Sequence, residues 1–163
     1  MFVSMIRVLL VAGLACLSMG CKEEPSMSPK VDVRLADATR HSIAVEMDWL
    51  RDSGAAVVIE EPHSKKFVQF GWKTLMVDLP SQTLSDDEMQ RAEHVMGRFG
   101  IPKKTYPIGT PSNRVLQTSF QKHLGNDVEL AVRVTEAVFC EVYLFPKDVP
   151  LQFKRIENDH GGR

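Results

Sequence analysis

The spacing of apolar residues after residue 35 predicts a first helix with one buried side. In HSIAVEMDWLRDSG the apolar residues recur at the period of a helix, and Trp49 lies beside this stripe as a predicted core residue. Arg40, just before the stretch, faces away from the stripe together with Asp48 and Arg51. Gly54 is placed to end the helix in a left-handed cap.

Three short strands are predicted after this helix. The runs AAVVIEE, KFVQF and KTLMVDLP are apolar and are bounded by turn residues. In the third run the alternation places Leu75, Val77 and Leu79 on one face, and Met76 and Asp78 on the other. Consecutive strands with tight turns are typical of an antiparallel meander.

A second helix is predicted to begin in LSDDEM. Ser85 and Glu88 have the spacing of a capping box, and Asp86 and Asp87 complement the positive end of the helix dipole. Capping explains this acidic triplet better than a metal site does, because adjacent carboxylates on a helix splay apart. Gly100 is placed to end the helix.

The remaining pattern completes an α+β fold. RVLQTSFQKHLG predicts a strand, and the loop KKTYPIGTPSN before it holds at most one short strand around Tyr106. A last helix, apolar almost all round and therefore central, is predicted from Asn126, with Glu129 as capping partner, to Pro146. The prediction is an antiparallel sheet of four to five strands packed with three helices, in the order α-β-β-β-α-β-(β)-α.

The first 20 residues have the three parts of an export signal. One cation, Arg7, precedes an apolar run over residues 8–17, and small residues follow before Cys21. The run is too short to span a bilayer, which takes about 20 residues. The segment resembles a bacterial lipoprotein signal: Gly20 fits that pattern, whereas the two residues before it do not. The resemblance implies lipidation of Cys21; an ordinary secretory signal or a buried first helix are the alternatives.

These segments divide the chain into a lipoprotein signal peptide at 1–20, a flexible tether at 21–34, one α+β domain at 35–153 and a disordered tail at 154–163. The tether contains KEEPSMSPK, whose prolines, serines and charges do not form a packed core. The predicted location is exported and lipid-anchored to the bacterial membrane. The outer membrane facing the periplasm is favoured, because Lys22 is not the aspartate that resembles an inner-membrane retention signal.

Charge and cysteine content narrow the function classes. The net charge is −1, and loss of the signal with its single cation makes it one unit more negative, which excludes the basic footprint of a nucleic-acid-binding protein. Of the three cysteines, Cys16 leaves with the signal and Cys21 carries lipid. Cys140 is then the single thiol, so no intramolecular disulfide is predicted.

The sequence predicts no catalytic residue, no metal site and no cofactor. It lacks a Gly-rich phosphate loop, GxSxG, HExxH and CxxC. The five histidines are scattered, which is typical of solvated positions: His41, His63, His94, His123 and His160. A Cys140 nucleophile with His123 as base is the alternative enzymatic interpretation, but a buried helix position raises the pKa of a thiol and does not activate it.

The predicted partner-binding residues come from one turn and two strands. Trp72 lies in a tight turn, where a large aromatic is difficult to bury and a partner-facing position is plausible. The polar side of the fourth strand either accepts a ligand or faces water. The predicted set is Trp72, Phe70, Gln117, Ser119 and Gln121.

The element order resembles a family of small bacterial domains. The resemblance covers residues 36–146 and depends on the stretches LRDSG, AAVVIEE, KFVQFGW, TLMVDLP, LSDDEM to RFGIP, and QTSFQKHLGNDVELAVRVTEAVF. These stretches resemble the type III secretion chaperone-like fold, including TY-Chap and YbjN-type domains. The resemblance implies a non-enzymatic module, often a homodimer, that binds another polypeptide through sheet or helix surfaces. Export departs from this pattern, because secretion chaperones of this kind work in the cytoplasm.

The predicted function is a membrane-anchored, non-enzymatic, chaperone-like module of the bacterial cell envelope that binds a protein or peptide client. Its predicted partners are that client and the membrane, with no nucleic acid. Two alternatives stay open: a structural or homeostatic lipoprotein without a specific client, and a cytoplasmic type III secretion-type chaperone if the chain is not exported.

Overall fold

The computed structural model describes residues 34–110 and 112–157. Cys21, the predicted signal, the tether up to residue 33, and His160 therefore lie outside the described residues. The elements in chain order are α1 (Asp37–Ser53), β1 (Ala56–Glu60), β2 (Phe67–Gly71), β3 (Met76–Pro80), α2 (Asp86–Arg98), β4 (Lys103–Ile108), β5 (Val115–His123), α3 (Val128–Ala137) and β6 (Gln152–Ile156). The predicted α+β class is confirmed. Within these residues, no helix combines the length and apolar character that a membrane crossing requires.

Six antiparallel strands form one sheet in the order β4-β5-β3-β2-β1-β6. The predicted meander β1–β2–β3 is confirmed, and β4 is the short strand predicted around Tyr106. Strand β6 was not predicted, so the predicted domain end at 153 and the tail from 154 are wrong for residues 154–156, which pair with β1. The Arg155 side chain lies on the helix side of the sheet. Its Nε donates to Glu46 at 2.8 Å, and its guanidinium carbon lies 4.5 Å from the centre of the Trp49 ring.

One face of the sheet packs against the helices. Val57, Phe70 and Val77 lie in register on β1, β2 and β3, and all three are buried in the core. On this face Arg155 contacts α1, and Lys122 donates to the carbonyl of Phe99 at the end of α2. Helix α3 packs against α1, and a π-helical turn at Val138–Val142 packs against α2. The last helix therefore lies in the middle of the helix layer, as its apolar surface predicts.

The other side of the sheet is called the open face here. It consists of two rows of residues in register across β1, β2, β3 and β5: Val58, Gln69, Asp78 and Gln121, and next to them Ala56, Gly71, Met76 and His123. The three helices described within residues 34–110 and 112–157 pack on the opposite side, so none of them covers this face.

The helix ends follow local side-chain chemistry. The predicted capping box of α2 is confirmed: Glu88 accepts from the backbone N–H of Ser85 at 2.7 Å, and Ser85 accepts from that of Glu88 at 3.3 Å. The predicted start of the last helix at Asn126 is wrong. Asp127 caps it by accepting from the N–H of Leu130 at 2.9 Å, and the α-helix ends at Ala137, after which a π-helical turn continues to Val142.

Candidate binding site on the open face

A cavity of about 480 Å³ lies on the open face. Its wall is formed by β1, β2, β3 and β5, by the turn after β2, and by one residue of β4. The larger side chains of its lining include Gln69, Trp72, Met76, Asp78, Tyr106 and Gln121. Neighbouring strands in register place Gln69, Asp78 and Gln121 side by side, although they are far apart in the sequence.

A second cavity of about 490 Å³ adjoins the first, with which it shares Trp72 and Met76. Ser53 and Gly54 at the end of α1 also line it, as do Lys73, Thr74 and His123. The Thr74 hydroxyl and His123 Nδ1 lie 2.6 Å apart. The two cavities therefore meet at Trp72 and Met76, and neighbouring subsites of this kind suit an extended segment of polypeptide.

Trp72 is exposed and is held in an unusual backbone conformation. Its side chain is 57% exposed, and its φ of 58° lies in the left-handed region that bulky residues avoid. The turn fixes this geometry, because the Trp72 N–H donates to Ala55 and the Trp72 carbonyl accepts from Leu75. Strain of this kind clusters at binding and switch sites. The exposure agrees with the prediction for Trp72, and its role in binding stays a prediction.

Asp78 lies at the centre of the open face and is buried. It is 7% exposed, its Oδ2 accepts from Gln69 Nε2 at 2.7 Å, and its Oδ1 has no hydrogen-bond partner. The ion pairs found among residues 34–157 do not include Asp78. A buried carboxylate without a counterion is unfavourable, and such groups in native proteins call for a specific explanation.

Glu60, on the same face, shows the ordinary arrangement. Its carboxylate accepts from Lys154 at 2.9 Å and from Lys65 at 3.2 Å. These hydrogen bonds, with that of Lys154 the stronger, lower the pKa of Glu60 from its usual value. The open face therefore pairs one of these two carboxylates with lysines and leaves the other, Asp78, without a cation.

The three residues of β5 predicted to bind a partner divide into one that lines the first cavity and two that do not. Gln121 lines the cavity, and its Nε2 donates to the Tyr106 hydroxyl at 2.9 Å. Ser119 is fully buried, so its prediction as a partner-binding residue is wrong; the Tyr106 hydroxyl lies 3.4 Å from its Oγ. Gln117 lies opposite Tyr106 in the register, outside the residues that line the cavity.

Phe70 points away from the open face. It is 1% exposed and faces the helices, while its neighbours Gln69 and Gly71 belong to the open face. The alternation of a strand accounts for this, since consecutive side chains point in opposite directions. The Phe70 side chain therefore belongs to the core, although the residue also lines the first cavity, and its contact with a partner stays a prediction. Trp49 is partly buried and packs against the core, as predicted.

The structure does not bring Cys140 and His123 together. Cys140 is buried in the helix layer, and His123 lies on the open face. Burial, and then the nearby carboxylates of Glu136 and Glu141, raise the pKa of the Cys140 thiol to about 11. Little thiolate therefore forms near neutral pH. Within residues 34–110 and 112–157, no group of three or more His, Cys, Asp or Glu side chains is arranged to hold a metal ion.

Sequence reasoning missed Asp78 and Tyr106 as site residues. Alternation placed Asp78 on the face that holds the cavity, but only the register with Gln69 and Gln121 shows that it is buried there. Tyr106 lay in a stretch predicted to be mostly loop, so no pattern linked it to β5. Comparisons of the chain with protein-family models, curated proteins and solved structures found no match.

Proposed function

We propose that this protein is a membrane-anchored, non-enzymatic module that binds a protein or peptide client on its open face. The observation that carries the proposal is the pair of adjoining cavities that share the exposed Trp72, the first of them on the open face. The combination of an exposed, conformationally strained aromatic with a buried polar centre favours recognition of a partner. The resemblance to chaperone-like domains supports the same function.

A polypeptide fits this surface better than a compact ligand does. The two cavities adjoin at Trp72 and Met76, so they offer neighbouring subsites for successive side chains. The walls are mainly apolar, with a few polar groups from Gln69, Asp78 and Gln121. This division, in which apolar contacts give affinity and a few polar groups fix orientation, is usual in binding sites.

Site-specific photo-crosslinking tests the binding face. A photoreactive phenylalanine analogue at position 72 is expected to form adducts with a client in living cells, because this position borders both cavities. The matched control is the same analogue at Gln90, an exposed position on α2 in the helix layer. Equal adducts at both positions would contradict the proposed face. Adducts at neither position would favour a structural lipoprotein without a specific client.

The proposed anchor is tested at Cys21. The wild-type chain is expected to fractionate with membranes and to have the mass of a chain starting at Cys21 plus acyl groups, whereas Cys21→Ser is expected to lose the membrane association. Intact-mass spectrometry and membrane fractionation measure both effects. An unmodified, soluble chain starting at Met1 would contradict the anchor and leave a cytoplasmic secretion-type chaperone as the better proposal.

A further inference from the structure

The carboxylate of Asp78 indicates what kind of group the proposed client presents. Both of its neighbours in the register, Gln69 on β2 and Gln121 on β5, are neutral amides. Gln69 supplies one hydrogen bond, and Oδ1 accepts none. Glu60, by contrast, has two lysine partners on the same face. The cavity therefore contains an anionic centre that a cation from outside the described residues would balance.

The walls around Asp78 suit a long cationic side chain. Trp72, Met76 and Tyr106 line the same cavity, so an aliphatic stem would contact apolar and aromatic surface while its charged end approaches Asp78. A cation close to the face of Trp or Tyr gains a further electrostatic attraction. We propose that this cavity binds a lysine or arginine side chain of the polypeptide client; the proposal rests on the function proposed above.

Entry of the cation requires a small rearrangement of amide side chains. Oδ1 is enclosed by protein, and Oδ2 is occupied by Gln69. An ammonium or guanidinium group would take the place of the Gln69 amide at Oδ2, or would reach Oδ1 after the carboxylate turns. Gln69 and Gln121 are both partly exposed cavity residues, so they can move without disturbing the core.

Titration with short peptides tests the proposal on the full chain, purified from membranes in a nonionic detergent. The probes are three blocked tripeptides with a central lysine, arginine or norleucine; norleucine keeps the apolar stem of lysine without its charge. The chain has two tryptophans, so nuclear magnetic resonance of the indole N–H groups reports on Trp72, with Trp49 in the helix layer as the internal reference.

The lysine and arginine peptides are expected to shift the Trp72 signal with a Kd of about 1 mM or below. The norleucine peptide is expected to bind at least about tenfold more weakly, because it leaves Asp78 unpaired. Asp78→Asn is expected to remove this preference. The matched control Asp48→Asn, at a half-exposed site on α1 in the helix layer, is expected to retain it. Comparing the lysine and arginine peptides shows which cation the cavity prefers.

Several outcomes would overturn the proposal. Two concern the peptides on the wild-type chain: equal binding of the norleucine and lysine peptides, or no shift of the Trp72 signal up to about 10 mM peptide. The other two are a shift of the Trp72 signal by potassium chloride as large as that by the lysine peptide, and a folded Asp78→Asn variant that still prefers the cationic peptides. If that variant does not fold, the norleucine comparison on the wild-type chain still decides. The proposed function is tested separately: crosslinks at position 72 combined with no effect of charge would reject this inference alone.

Discussion

Phe70→Ala is expected to lower the free energy of unfolding by about 3–5 kcal/mol, whereas Trp72→Ala, two residues further on, is expected to lower it by less than about 1 kcal/mol. Phe70 is 1% exposed and lies between Val57 and Val77 in the core, so its removal leaves a cavity. Trp72 is 57% exposed and lines two surface cavities, so the loss of its side chain leaves no cavity in the core. Urea unfolding followed by circular dichroism measures both effects.

A third variant separates packing from backbone strain at the same turn. Trp72→Gly removes the side chain and also tolerates the φ of 58°, which costs a bulky residue about 1–2 kcal/mol. The Gly variant is therefore expected to be at least as stable as Trp72→Ala, while both variants lose crosslinking partners and peptide shifts. A loss of stability in Trp72→Ala as large as that in Phe70→Ala would show that Trp72 is a core residue. Trp72 would then not be a binding residue.

Periodicity predicted most of the sheet because burial on one side imposes a period of two. The alternation in KTLMVDLP assigned Val77 and Leu79 to the core and Asp78 to the other face, and the structure agrees. That reasoning was not applied to Phe70: its grouping with Trp72 rested on aromatic size, although the strand pattern FVQFG alternates it with Gln69. Composition suggested a partner contact where alternation, applied strictly, placed the residue in the core.

The elements that were missed depend on contacts between distant parts of the chain. Strand β6 is short and bears Lys154 and Arg155, so its sequence resembles a charged tail. It is a strand because β1 offers a free edge and α1 offers Glu46 and Trp49 to Arg155. The burial of Asp78 likewise depends on Gln69 and Gln121 from neighbouring strands, which a pattern within one strand does not report.

Arg40 illustrates the same limit in the helix layer. Its spacing placed it on the solvated side of α1, yet it connects α1 to α3. Arg40 Nη1 donates to Glu136 at 2.5 Å, and Arg40 Nη2 donates to Glu129 at 3.0 Å. The other oxygen of Glu136 accepts from the backbone N–H of Leu35 at 2.7 Å. The side chain of Glu136 is 10% exposed, and the ion pair with Arg40 compensates its charge.

Arg40→Met is expected to lower the free energy of unfolding by about 3 kcal/mol, because it removes a cation that is hydrogen-bonded to the buried Glu136 carboxylate. Adding Glu136→Gln is expected to restore much of the loss, since a neutral amide still accepts from Leu35 and needs no counterion. Arg51→Met on the same helix is the matched control: Arg51 pairs with Asp48 at an exposed site, where ion pairs contribute about 0–1 kcal/mol.

Urea unfolding of the four chains, wild type included, measures the coupling between the two positions. The expected result is a double variant, Arg40→Met with Glu136→Gln, that is clearly more stable than Arg40→Met alone. An Arg40→Met loss no larger than that of Arg51→Met would show that water already compensates Glu136. The α1–α3 contact would then depend on apolar packing among Ile43, Met47 and the buried face of α3, and Arg40 would be one more surface cation.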